Sequence, residues 1–302
     1  MRVLVVSSLL LVSLIVADFA IAQTRGVSPG REAEAWAGVG ILQVRGGGMC
    51  SAALLDERTV LTAAHCVYPR ETKQLARPEN VTFLAGWRDG ITAAKRTAVR
   101  IVAHRDYDPT RPYDNRNIAA DLAIVELDLA IPRDAARSYR RMDKVRVGET
   151  VSVVSFSGRR SDVASINEDC EAGSRQGDIL LLSCESHPGM SGAPIFSYRG
   201  GDPRIIALIS GSRTTRTGKN NGIALAVDAP LGRVQIDAKA TRTMARASLP
   251  FWSARAKNNG ATQALAQRKV ISAGSGFGLG DKGDDNGTGL GRKTVRPPSS
   301  SQ

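Results

Sequence analysis

Aromatic side chains are scarce in this sequence, at 5% of 302 residues, and so are histidines, of which there are three. No sustained 3.6-residue periodicity runs through it, no CxxC pair is present, and its histidines do not cluster. After the first apolar run, no stretch approaches the roughly 20 residues of a spanning helix. Helical bundles, cysteine–histidine metal sites and a transmembrane anchor after that point are thereby set aside. With 42% hydrophobic and 23% charged residues the chain is not of disordered composition, and Gly 30 with Pro 13 suits a turn-rich fold without collagen-like repetition.

The start of the chain has the pattern of a secretory signal: Arg2, an apolar run Val3–Val16, and small residues Ala20-Ile21-Ala22 at the cleavage spacing. Cutting after Ala22 leaves a short segment, 23–35, and a soluble mature protein, secreted or periplasmic. Disulfides are permitted in such an oxidising compartment. Cys50, Cys66, Cys170 and Cys184 then read as two bridges. Three connectivities are possible, and pairing Cys50 with Cys66 and Cys170 with Cys184 closes two short loops and is the economical choice.

Short apolar or alternating runs bounded by Gly, Asp, Asn and Arg fill the middle of the chain. They are Val39–Val44, Ala52–Leu55, Val60–Ala64, Val81–Ala85, Val99–Val102 and Leu122–Leu127. After a polar stretch follow Val151–Phe156, Ile179–Leu182, Ala193–Phe196, Ile205–Ile209 and Gly222–Val227. This spacing indicates an all-β barrel or sandwich protein in two lobes of about six strands each, joined by Asp128–Gly148 with Pro132 and five arginines.

The formal net charge is +12, and residues 237–302 carry 11 Lys and Arg against 4 Asp, a net +7. The basic balance is therefore mostly a property of this low-complexity tail, in which Arg242–Gln267 reads as an irregular helix interrupted by Pro250. Residues 272–302, rich in Gly and Ser, bury too little to order themselves and read as disordered. A solvated arm is one reading of the tail; a tether to an anionic cell-envelope polymer is the other. No nucleic-acid-binding fold accompanies it.

Three segments carry chemistry. An apolar strand delivers Thr62-Ala63-Ala64-His65-Cys66, with a histidine beside a cysteine that a disulfide can staple. Asp121-Leu122-Ala123-Ile124 puts a carboxylate at the mouth of a buried strand, where it needs a partner. Gly189-Met190-Ser191-Gly192-Ala193-Pro194 sets a serine in a glycine-flanked turn, where backbone N–H groups can converge. A serine hydroxyl becomes a nucleophile once an imidazole takes its proton and a third group fixes that imidazole's tautomer.

On these three boxes, in this order, residues 36–232 resemble the chymotrypsin-like (trypsin-like) serine endopeptidases, closest in character to bacterial secreted members. The resemblance implies two six-stranded antiparallel β-barrels, about 36–128 and 145–236, in a protease domain spanning 36–236. It makes His65 the general base, Asp121 its orienting carboxylate and Ser191 the nucleophile of an acyl-enzyme mechanism on protein or peptide substrates, with the N–H groups of Gly189 and Ser191 as oxyanion hole. No cofactor is implied.

The same resemblance places Glu185 at the base of a specificity pocket, where an acid would favour Arg or Lys, and Ser210, Gly211 and Ser212 along its wall. His104 resembles a surface segment of relatives and is assigned no chemistry; His187 reads as an exposed loop residue, and Tyr68 and Trp87 as packing residues. Where many members have an aspartate before the serine, this chain has Met190, and an Ile-Val-Gly-Gly start is replaced by Trp36-Ala37-Gly38-Val39-Gly40. Activation by insertion of a new N-terminus is therefore not expected, although Arg25 and Arg31 offer cut sites. The alternative to an enzyme is an inactive relative that binds protein in the same cleft. A stress-type chaperone-protease is disfavoured, because the segment after Ile236 is too short and Gly-rich for a peptide-binding module.

Overall fold

The computed structural model describes residues 24–247, apart from 143 and 159. The signal segment and the tail beyond Ala247 lie outside the described residues. The chain enters as a two-residue strand, β1 (Arg25–Gly26), and a short helix, α1 (Arg31–Ala35). Six strands follow: β2 (Val39–Val44), β3 (Met49–Leu54), β4 (Thr59–Thr62), β5 (Val81–Ala85), β6 (Ala94–Ala103) and β7 (Ala123–Leu127), with helix α2 (Asn115–Ile118) before the last. They close into an antiparallel barrel in the order β2-β3-β4-β7-β6-β5. Leu42, Leu54, Val60, Phe83 and Leu127, buried and on one face by register, fill its interior.

A second barrel comprises β8 (Glu149–Ser157), β9 (Arg160–Gln176), β10 (Ile179–Glu185), β11 (Pro194–Ser197), β12 (Arg204–Thr214) and β13 (Asn220–Ala226). Its order is β9-β10-β13-β12-β11-β8, closed by pairing of β8 with β9, and β1 adds to the outside of β9 through Arg25↔Ile166 and Gly26↔Ser165. The result is the two-barrel chymotrypsin-like fold. Strand β9 occupies the stretch that looks too polar for a strand. Its sequence is largely Ser, Asp, Asn, Glu and Arg, yet it is paired with β8, β10 and β1, and buries Ile166, Cys170 and Ala172. Ladder hydrogen bonds on both sides replace the side-chain pattern as its source of order.

Among its described residues the connection 128–148 carries no strand longer than a bridge, and it is anchored by Tyr139. That residue is 1% exposed, its hydroxyl donates to the Ala35 carbonyl at 2.8 Å, and its ring stands edge-on to Phe196 at 4.8 Å beside Trp36. An aromatic contact of this kind is worth about 0.5–1.5 kcal/mol beyond burial. It locks the N-terminal segment, the connection and the second barrel together.

Disulfides join Cys50 to Cys66 and Cys170 to Cys184. On the loop-entropy model, loops of this size stabilise by roughly 3 kcal/mol each. A helix, α3 (Asp228–Ala247), begins well before the predicted helical segment at Arg242. It buries Leu231, Val234 and Ala238, a spacing of three and four that keeps one face inward. Arg105 pairs with Asp237 and the Arg100 guanidinium donates to the Ala238 carbonyl at 2.6 Å, holding the helix to β6. No helix among the described residues is long and apolar enough to cross a membrane.

Candidate active site

The seam between the barrels gathers side chains from both. His65 lies in a 3-10 turn, Ala64–Val67, that ends β4, and Cys66 in the same turn is bridged to Cys50 on β3. Asp121 precedes β7 and follows α2, whose N-cap Asp114 accepts the Asn117 N–H at 2.8 Å; the Asp121 N–H is held by the Ile118 carbonyl at 3.1 Å. The carboxylate is 2% exposed and fully partnered. Its Oδ1 accepts the His65 backbone N–H at 2.8 Å, and its Oδ2 faces His65 Nδ1 at 2.7 Å and accepts the Ser210 hydroxyl at 2.6 Å.

This network sets the chemistry of the imidazole. With Nδ1–H committed to the carboxylate, the lone pair falls on Nε2, the nitrogen free to act as a base. Burial disfavours the imidazolium, and Arg70 opposes it as well; the charge and hydrogen bond of Asp121 together outweigh both, so the His65 pKa is raised above its ordinary value.

Ser191 faces the same cleft, a cavity of about 580 Å³ that it shares with His65, Asp121, Ser210 and Gly211. Tyr68, Tyr107 and Tyr113 supply its apolar walls, with Arg70 and Lys73 on one side. Burial pushes the Tyr113 hydroxyl up to about 12, so it stays protonated, 3.4 Å from the Ser210 hydroxyl.

The turn that carries Ser191 needs its glycines. Gly189 has φ +95°, and a Cβ there would meet Ser157 Cα at 3.0 Å and the Phe156 carbonyl at 3.1 Å. Gly192 has φ +77°, and a Cβ there would come within 2.4 Å of the Ser51 carbonyl. Within the turn the Met190 N–H is taken by the His187 carbonyl, the Gly192 N–H by that of Ile209 and the Ala193 N–H by that of Met190. The N–H groups of Gly189 and Ser191 take no part in those bonds. Met190 is buried in the core of the second barrel, which leaves no charged group at that position to receive an inserted N-terminus.

Of the residues assigned to a specificity pocket, Ser210 and Gly211 line the cleft, and Ser212 lines an adjoining cavity of about 360 Å³ beyond Tyr113. Glu185 lines neither. It is exposed at the end of β10, 4.0 Å from His187 Nε2. Ser210 turns its hydroxyl to Asp121 rather than into a pocket. His104 is not on the surface but 3% exposed, with its N–H on the Leu122 carbonyl at 2.8 Å, one residue from Asp121. Tyr68 packs on Tyr107 at 5.4 Å and also borders the cleft.

Sequence reasoning missed Tyr113, Arg70 and Ser51, none of which belongs to a recognisable box. Cys50, His65 and Cys66 lie close enough to suggest a metal site, but both sulfurs are spent in a disulfide and His65 Nδ1 is committed to Asp121. A cysteine ligates as its thiolate, which a disulfide does not offer.

Comparison with known proteins agrees with this architecture. The chain is 36% identical over 91 residues to the complement C1r subcomponent-like protein of Mus musculus, covering 29% of this chain and 17% of that protein. Its human counterpart is 32% identical over 100 residues, covering 32% and 19%. Serine protease SP24D of Anopheles gambiae is 29% identical over 86 residues, covering 28% of each. The matched stretches thus span less than a third of these relatives' own lengths. Among solved structures, a Glu endopeptidase in complex with MPD superposes with TM-score 0.58 at 17% identity, over 73% of this chain and 98% of that one. The model of the trypsin-like peptidase domain matches residues 50–203, just over half of the chain and the stretch that holds His65, Asp121 and Ser191, so this chain belongs to the trypsin-like peptidase family.

Proposed function

We propose that the protein is a secreted serine endopeptidase that cleaves protein or peptide substrates through an acyl-enzyme intermediate. One observation carries the reading: a buried carboxylate with every oxygen occupied orients a histidine in the cleft that Ser191 lines. His65 Nε2 takes the Ser191 proton as Oγ attacks the substrate carbonyl, and the imidazolium is stabilised by Asp121. The same proton passes to the departing amine, and the acyl group stays on Oγ. Water then enters, gives a proton to His65 and its oxygen to the acyl carbon, and as the bond to Oγ breaks His65 returns that proton to Ser191.

The developing oxyanion is received by the N–H groups of Gly189 and Ser191, a type of donor whose loss costs about 10²–10³ in rate. Beyond Ile209, which accepts the Gly192 N–H, β12 presents residues 210–212 to an extended peptide. Secretion is supported by the leader pattern ending at Ala22 and by two disulfides. The net +7 of residues 237–302 supports contact with an anionic envelope polymer.

Covalent labelling by a fluorophosphonate, read by intact mass with Ser191→Ala as control, tests the reading. Labelling of the wild type alone is expected. A wild type that stays unlabelled, with or without removal of residues 23–31, would leave the cleft as a site that binds protein without cutting it.

A further inference from the structure

Ser51 sits beside Cys50 on β3 of the first barrel, is 0% exposed, and belongs to no motif of the reaction. All of its polar groups are nonetheless aimed at the turn that holds the proposed nucleophile, or at what supports it. Its N–H donates to the Ser191 carbonyl at 2.8 Å. Its hydroxyl donates to the Gly189 carbonyl at 2.9 Å, with the Phe156 carbonyl further off at 3.2 Å, and accepts the Phe156 N–H at 2.9 Å. Its own carbonyl accepts the Thr62 hydroxyl at 3.1 Å, three residues before His65.

From these contacts we infer that Ser51 is a positioning residue for the oxyanion-binding turn, a role that rests on the endopeptidase reading above. The Gly189 N–H lies in the 188–189 peptide and the Ser191 N–H in the 190–191 peptide, and they converge only while the adjoining peptides, 189–190 and 191–192, keep one orientation. Ser51 holds the carbonyls of both residues, one by its hydroxyl and one by its backbone, from the opposite barrel. A second hold acts on the same turn: the Gly158 N–H donates to the Pro188 carbonyl at 2.9 Å. Glycine at 189 has no Cβ to restrict rotation and sits at φ +95°, so the orientation of its peptides depends on such external bonds. The Ser51 hydroxyl is the side-chain group that supplies one.

The test compares wild type with Ser51→Ala, which removes the hydroxyl and keeps Cβ, using fluorophosphonate labelling and peptide hydrolysis. The final labelled fraction counts folded sites; the rate of labelling reports the geometry of the turn. The expected result is a rate of labelling and a kcat lowered roughly 10- to 100-fold, at or below the loss of a whole oxyanion donor. KM should change less than threefold, and a peptide aldehyde that mimics the tetrahedral intermediate should bind more weakly by a factor similar to that in kcat. Ser51→Thr, which keeps the hydroxyl, should recover most of the rate.

A purely structural role would lower the labelled fraction and leave the rate and the aldehyde affinity alone, and that outcome would overturn the proposal. If Ser51→Ala yields no folded protein, Ser51→Gly, which lets a water into the vacated volume, is read against the same criteria. A wild type that does not label, even after removal of residues 23–31, refutes the endopeptidase reading itself. A wild type that labels, beside a Ser51→Ala that labels equally fast, refutes only the role of Ser51.

Discussion

Replacing Gly192 by alanine tests whether the two barrels are held in register by backbone contact at the proposed nucleophile. The added Cβ would lie 2.3 Å from Thr62 Oγ1, 2.4 Å from the Ser51 carbonyl oxygen and 3.0 Å from the Ala63 nitrogen. Of these, only the Thr62 hydroxyl can turn away. Ser51 and Ala63 belong to fully buried backbone in the first barrel, so the turn itself must shift. A non-glycine residue at φ +77° adds about 1–2 kcal/mol, and forced overpacking about 1–3 kcal/mol more. At about 2–4 °C per kcal/mol for a domain of this size, the combined loss of about 2–5 kcal/mol lowers Tm by roughly 5–20 °C. Because the Ser191 carbonyl is held by the Ser51 N–H at 2.8 Å, the same shift displaces Ser191, and fluorophosphonate labelling falls even in the fraction that remains folded. Calorimetry and labelling of Gly192→Ala and of the double variant Thr62→Ala/Gly192→Ala decide the point. The double variant relieves only the flexible obstacle and should not recover labelling. Recovery there, or a single variant within 2 °C of wild type and fully labelled, would refute the reasoning.

Three further outcomes follow from the structure. In the proposed mechanism His65 must be neutral to act, and because its pKa is raised the acid limb of kcat/KM should lie above pH 6.5; Arg70→Gln, by removing an opposing charge, should move that limb to higher pH in a pH–rate profile. His104 is held neutral by burial first and by Arg233 and Arg105 next, against Asp106 and Asp237, so its pKa is lowered in the folded state. Its contribution to stability is therefore complete above pH 6.5 and declines as pH falls from there toward the folded-state value; denaturant melts from pH 8 to 5 should show a shallower decline in His104→Gln than in wild type. Selective loss of the first bridge in a Cys50→Ala/Cys66→Ala variant should lower stability by about 3 kcal/mol in urea melts and slow labelling, since the turn bearing His65 loses its tie to β3.

How far the sequence reveals the molecule depends on how local each signal is. Strands such as Val39–Val44 and Ile205–Ile209 are apolar runs between turn residues, and their burial follows from their own composition. His65, Asp121 and Ser191 stand in short stretches whose local chemistry is unusual enough to be noticed before any fold is known. Strand β9 is the contrary case, because its order comes from partners on β8, β10 and β1 that no local pattern announces. Leu231, Val234 and Ala238 of helix α3 are buried between charged neighbours, and they do not stand out in the sequence until the helix is docked by Arg100 and Arg105. Ser210 shows the limit most directly. Its place beside Gly211 and Ser212 suggests a pocket wall, whereas its hydroxyl is a ligand of a carboxylate 89 residues away in the chain.

These long-range bonds share a direction that explains why the site lies where it does. His65 and Asp121 are set by turns of the first barrel, and Ser191 and Ser210 by the second. Four of the bonds that finish the site cross the seam: Ser210 to Asp121, the Ser51 N–H to Ser191, the Ser51 hydroxyl to Gly189, and the Phe156 N–H back to Ser51. Each lies between 2.6 and 2.9 Å. Hydrogen bonds weaken steeply once their geometry is disturbed, so a relative slide of the barrels by an ångström would break several of them while leaving both cores intact. The stability of either barrel is therefore not what holds the site in working geometry. That task falls to a few buried polar groups at the seam, Ser51 chief among them, whose contribution to total stability is small beside the hydrophobic interiors of Phe83 and Leu180 but whose bonds tie the turn bearing Ser191 to the barrel that carries His65.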